Sequence, residues 1–331
     1  MVQKAISHLA FILWIVLCCV LLEGCGNNDA KPSDSPVHSD SEGSVSEDTE
    51  SENVKSDAPL RDSTPNVLVP AADQTVSYGT DTIVMDASHT DQGYVMVQYL
   101  GDNPKVKMQI EPPDGNTYTY LLSQEKEFET FPLPSGDGSY SITVLENVSG
   151  DMYAIAFSQD IDVTIADEFL PFLYPNQYVS FTSDSQTVKK GQDLVSDAHS
   201  DLEAVEKIYH FITENITYDT EKASSVSYGY LPDVDETLAT GKGICFDYAA
   251  SMAAMLRSQR IPTKLEIGYA GEAYHAWIST YIKDVGWIDD IIQFDGSSWV
   301  LMDPTFAAGA NKKDLKAFIG DGQNYMVQNS Y

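Results

Sequence analysis

Three side chains far apart along the chain, Cys245, His275 and Asp303, are of the types that together make an activated thiol. A thiolate attacks carbonyl carbon, an imidazole takes up and returns the proton, and a carboxylate beside it fixes its tautomer and orientation. Cysteine usage singles out the first of them. Cys18 and Cys19 fall inside an apolar run near the start and Cys25 directly follows it, so Cys245 is the one thiol in foldable sequence. With no partner for an internal disulfide, it is either an inert small hydrophobe or a nucleophile.

The elements around these residues favour the second reading. Gly241-Lys242-Gly243-Ile244-Cys245 leads into Phe246 to Arg257, a stretch without Gly or Pro, which predicts a helix opened by the cysteine. Unpaired N–H groups and the dipole at that end favour a thiolate, lowering its pKa, with Lys242 adding to the effect. The two glycines would let the turn approach a substrate closely, and Ala249 and Ala253 would allow tight packing behind it. Tyr274 to Ile282 and Trp299 to Asp303 alternate as strands. Paired as an antiparallel hairpin, they would make His275 and Asp303 cross-strand neighbours. Tyr228 and Tyr230, in a loop before the cysteine, are candidates for oxyanion or substrate contacts, against a reading as packing aromatics.

As a set, Gly243-Ile244-Cys245, His275-Ala276-Trp277 and Asp303-Pro304-Thr305, with Arg257 and Ile261-Pro262 closing the helix, resemble the transglutaminase-like superfamily. The resemblance covers about Asp201 to Ala308. It implies a papain-like α+β core in which Cys245 is the nucleophile, His275 the general base and then acid, and Asp303 the orienting group. The implied chemistry is thioester formation on protein or peptide amides, resolved by water or an amine. Animal transglutaminases require calcium, but no acidic loop here has ligand spacing, so no metal and no cofactor are expected. The competing reading is a catalytically idle surface module that binds wall peptide or a partner protein.

The rest of the chain frames this core. Lys4 and His8 precede an apolar run from Leu9 to Leu22, the pattern of a secretory signal over residues 1–25. Leu22-Glu23-Gly24-Cys25 resembles a bacterial lipobox with Cys25 as the lipidation site; Glu23 departs from the usual small or aliphatic residue. Residues 26–65 are acidic and Ser-rich, which predicts a solvated spacer. Residues 66–167 carry short runs of period two between turn signals such as Pro112-Pro113-Asp114-Gly115, which predict an all-β immunoglobulin-like sandwich acting as a spacer or docking module. The resemblance implies that residues 168–331 are a transglutaminase-like catalytic domain. The whole therefore reads as α+β and resembles exported, membrane-tethered lipoproteins of Gram-positive bacteria. With 19 Lys and Arg against 50 Asp and Glu, a formal charge of −31, nucleic acid is excluded as a partner.

Overall fold

The computed structural model describes residues 59–270, 273–288, 293–294, 299–300 and 325–331. Cys25 and Asp303 lie outside them, as do the proposed signal and most of the spacer. Among the described residues no helix is long and apolar enough to cross a membrane.

Eight strands build the first half: β1 (Ser77–Gly79), β2 (Ile83–Asp86), β3 (Tyr94–Tyr99), β4 (Val106–Glu111), β5 (Tyr118–Leu121), β6 (Glu129–Pro132), β7 (Gly138–Ser149) and β8 (Met152–Val163). Alternation decides their faces. Val106, Met108 and Ile110 of β4 are buried, whereas Lys107 and Gln109 between them are not. Two antiparallel sheets result, ordered β1-β2-β3-β6 and β5-β4-β7-β8. The chain changes sheets after β3, returns at β6 beside β3, and crosses again to place β7 beside β4, a Greek-key path of immunoglobulin-like type. Ile83, Met85, Val95 and Phe131 from one sheet meet Met108, Ile110, Tyr120 and Ile142 from the other at 0–1% exposure. Each such side chain contributes roughly 1.5–3 kcal/mol by leaving water.

The second half is α+β. Its helices are α1 (Gln186–Leu194), α2 (Asp201–Asn215), α3 (Thr220–Ser225), α4 (Val234–Thr240) and α5 (Cys245–Ser258). Ser200 caps α2, its side chain accepting from the Glu203 N–H, while the Glu203 carboxylate accepts from the His199 N–H. Two short parallel strands, β9 (Thr217–Tyr218) and β10 (Lys242–Gly243), lie before α5. Strands β11 (Thr263–Ala270), β12 (Ala273–Ile282) and β13 (Gly286–Ile288) follow it. The pair β14 (Gln293–Phe294) and β15 (Trp299–Val300) comes next, and β16 (Tyr325–Ser330) completes a sheet ordered β13-β12-β11-β16. Helix α5 is buried along nearly its whole length between this sheet and α1, α2 and α4. Small residues permit that: Ala249, Ala250, Ala253 and Ala254 are all at 0–1% exposure.

The strand pairing differs from the sequence expectation. Trp299–Val300 pairs with Gln293–Phe294, not with β12. Turn closure explains it, since the partner across residues 295–298 is far nearer along the chain. Strand β12 instead pairs with β11 throughout and with β13 at Thr280–Ile282.

The halves also share one continuous apolar core. Tyr120 of the sandwich packs against Phe131 (ring centroids 4.8 Å) and Tyr178 (5.5 Å), and Tyr178 packs on Phe246 of α5 (5.4 Å). Residues 59–66, mostly assigned above to the spacer, run against the end of α5. Arg61 donates to Asp201 Oδ1 (2.6 Å) and Gln259 Oε1 (3.0 Å), and the Asn66 N–H donates to the Ser258 carbonyl (2.8 Å).

Candidate active site

The turn before Cys245 is tied down at both glycines. Gly241 ends α4 in the left-handed region (φ +62°), where its missing Cβ removes the steric cost. Its carbonyl accepts from the Thr217 N–H and that of Gly243 from the Asp219 N–H, both at 2.8 Å. Gly243 is glycine for a different reason from the one expected. A Cβ there would lie 2.7 Å from the Asp247 Cβ, so the space it leaves is filled by Asp247 and not by substrate. Asp247 in turn accepts from the Ile244 N–H at 2.8 Å, satisfying one of the helix's unpaired donors.

Cys245 opens α5 as the spacing predicts, partly exposed, with its thiol free. Burial pushes the thiol pKa up; the N–H groups of Ala276 and Phe246 pull it down, and the Asp247 charge pushes it up again. The net direction is upward, opposite to that expected from the helix terminus alone. Desolvation is the larger effect here. His275, opposite Gly268 in the β11–β12 ladder, is 8% exposed. Burial draws its pKa below the ordinary histidine value of 6.5. The resting pair is therefore a neutral thiol and a neutral imidazole. His275 lies stacked with the fully buried Trp277 ring (6.1 Å between centroids, 24° between planes), which limits its freedom. Its Nε2 is buried and has no hydrogen-bond partner among the described residues.

Cys245 and His275 line one cavity of about 580 Å³. Tyr228 and Tyr230 line it too, and they differ. Tyr228 is 80% exposed at the lip. The Tyr230 hydroxyl donates to Asp247 Oδ1 (2.5 Å) and accepts from Lys222 Nζ (2.6 Å). Its pKa is pushed up to about 12, by burial first and by Asp247 next. Its proton is thus committed to Asp247, which removes it as an oxyanion donor and leaves it as a wall. Lys242, expected to help the thiolate, is exposed on β10.

Part of the wall was not anticipated. Thr117, Thr119 and Leu121, at and around β5, face the cavity from the sandwich. Gly229, in the left-handed region (φ +85°), brings the lip loop so close that a Cβ there would lie 2.4 Å from Leu121 Cδ1. The alternation of Tyr118-Thr119-Tyr120-Leu121 signals that Thr119 and Leu121 point away from the sandwich core, but not what they face. Among the described residues no group of His, Cys, Asp and Glu is arranged to hold a metal ion.

The family model of the transglutaminase-like superfamily matches residues 189–304. Kyphoscoliosis peptidase of Mus musculus is 30% identical over 235 residues, covering 66% of this chain and 32% of that protein. The Homo sapiens counterpart is 23% identical over 239 residues, covering 68% and 33%. The chain thus spans about a third of the length of these relatives. A solved structure of a proposed cysteine protease from Cytophaga hutchinsonii aligns at 16% identity with a TM-score of 0.33, over 69% of this chain and 68% of that one. The cysteine that opens a buried helix and the histidine on the strand packed beside it, both on one cavity, fall within residues 189–304, the stretch that matches the transglutaminase-like superfamily.

Proposed function

We propose that the protein is a membrane-tethered, extracytoplasmic thiol enzyme that acts on protein or peptide amides, including wall peptide, through an acyl-thioester on Cys245. The observation that carries this reading is the shared cavity of Cys245 and His275, in which the imidazole presents a buried Nε2 without a partner among the described residues. Asp303 is the proposed acceptor for that nitrogen. The leading Cys25 supplies the lipid anchor.

In the first step the thiol proton passes to His275 as sulfur attacks the amide carbonyl, so neither group need be charged beforehand. The tetrahedral oxyanion is held by the backbone N–H of Cys245 at the start of α5, an immobile donor that needs no reorganisation. Collapse of this intermediate breaks the C–N bond, and His275 returns the proton to the departing amine. Water or a primary amine then attacks the thioester, giving an acid or a new amide. The relatives bear the name peptidase, which favours water as acceptor.

Purified protein incubated with a thiol-directed electrophile, and separately with glutamine-containing and wall-type peptides with and without a primary amine, tests the reading. Amide turnover that requires Cys245 is expected, with ammonia or peptide release for hydrolysis and amine incorporation for transfer. Stoichiometric labelling of the thiol with no turnover of any peptide would instead support the idle binding module.

A further inference from the structure

A charged cluster lies beside the nucleophile that the acyl-transfer steps do not use. Asp247, two residues along α5 from Cys245, is fully buried. Its carboxylate accepts from the Ile244 N–H (2.8 Å), the Tyr230 hydroxyl (2.5 Å) and the Lys222 ammonium (2.8 Å). Lys222 comes from α3, which is itself fixed to the turn before the cysteine. Asp219 caps α3 by accepting from the Lys222 N–H, and its own N–H donates to the Gly243 carbonyl. The ammonium also lies 4.4 Å from the centre of the Tyr230 ring.

A carboxylate near a sulfur in a desolvated setting opposes negative charge on it, and an ammonium hydrogen-bonded to that carboxylate offsets part of that effect. The other ionisable groups facing the sulfur among the described residues are His275 and Tyr274 from β12 and Tyr218 from β9. None of these supplies positive charge at rest. Burial pulls the Lys222 pKa down, but its bonds to Asp247 and Tyr230 more than offset this and hold it above the ordinary lysine value. It stays charged throughout the working range.

We propose that Lys222 is a positioning residue for the reaction: acting through Asp247, it neutralises the buried carboxylate so that Cys245 loses its proton beside a compensated ion pair, and it fixes Tyr230 as the cavity wall. The inference rests on the reading of Cys245 as nucleophile. It makes the residue at 222 a determinant of when the thiol reacts and not merely of whether the helix forms.

The test is the pH dependence of iodoacetamide alkylation of the full chain, followed by mass spectrometry on the peptide that contains Cys245. In Lys222→Met the midpoint moves up by about one pH unit, a roughly tenfold slower reaction at neutral pH. Asp247→Asn, which can still accept from Ile244, moves it down, and the double variant returns toward wild type; Lys222→Arg keeps the wild-type profile. A folded Lys222→Met with an unmoved midpoint overturns the proposal. Should that variant not fold, an unmoved midpoint in Asp247→Asn does the same. Amide turnover by the wild type is a separate readout, so absence of turnover with shifted midpoints would refute the proposed function and leave the electrostatic role standing.

Discussion

The backbone N–H of Ala276 on β12 acts on the sulfur of Cys245 and draws its pKa down. Ala276 and its neighbour His275 line the same cavity as Cys245. The relative placement of the thiol and imidazole thus follows from the packing of α5 on the sheet.

Burial lowers the His275 pKa, so its neutral, proton-accepting form persists below the usual histidine range. The acid limb of kcat/KM is expected below 6.5, and measurement of the profile from acid to neutral pH checks it. The same shift acts on stability. The unfolded chain binds this proton first as pH falls, so the neutral buried form loses stability progressively from about 6.5 down to the lower folded value. His275→Gln should flatten that part of the stability curve.

Gly243→Ala sets a Cβ 2.7 Å from that of Asp247. Relief requires the helix start to move, which displaces the sulfur with it. The expected result is a loss of about 1–3 kcal/mol in denaturant unfolding and a fall in kcat larger than any change in KM. Equal activity in this variant would show that the turn tolerates displacement.

Arg257, 1% exposed, donates from α5 to main-chain oxygens of Thr263 (2.9 Å), Tyr174 (2.7 Å) and Tyr331 (2.6 Å). It joins the helix, the segment after the sandwich, and the sheet. Arg257→Met removes a donor from all three oxygens, of which that of Tyr331 keeps the Leu265 N–H, and should cost about 2 kcal/mol or more, read as a lower denaturant midpoint, with Lys a poor substitute because it cannot fork to three oxygens.

Leu121 belongs to the sandwich yet faces the cavity. Leu121→Ala should raise KM about threefold to tenfold while leaving kcat near wild type, the cost of one lost apolar contact of roughly 1 kcal/mol. An unaltered KM would return the sandwich to the role of spacer.

Much of this was legible in the sequence for local reasons. Helix α5 announced itself by composition, and the β-sandwich by alternation between turns. Nearly all that was missed depends on what packs against what. The fate of the Tyr230 hydroxyl requires Lys222 and Asp247 to meet across 25 residues, and the contribution of β5 to the cavity requires the two halves to share a core. The direction of the thiol shift failed likewise, because a helix terminus can be read from spacing but desolvation cannot. The pairing of Asp303 with His275 lies outside the described residues.

The most direct test of the account is to quench wild-type protein in acid during turnover of a peptide amide and to look for an acyl adduct by mass spectrometry. The account predicts a hydroxylamine-labile acyl group on the peptide containing Cys245, absent from His275→Ala, and no turnover by Cys245→Ala at a stability within about 1.5 kcal/mol of wild type. Undiminished turnover by Cys245→Ala would contradict it.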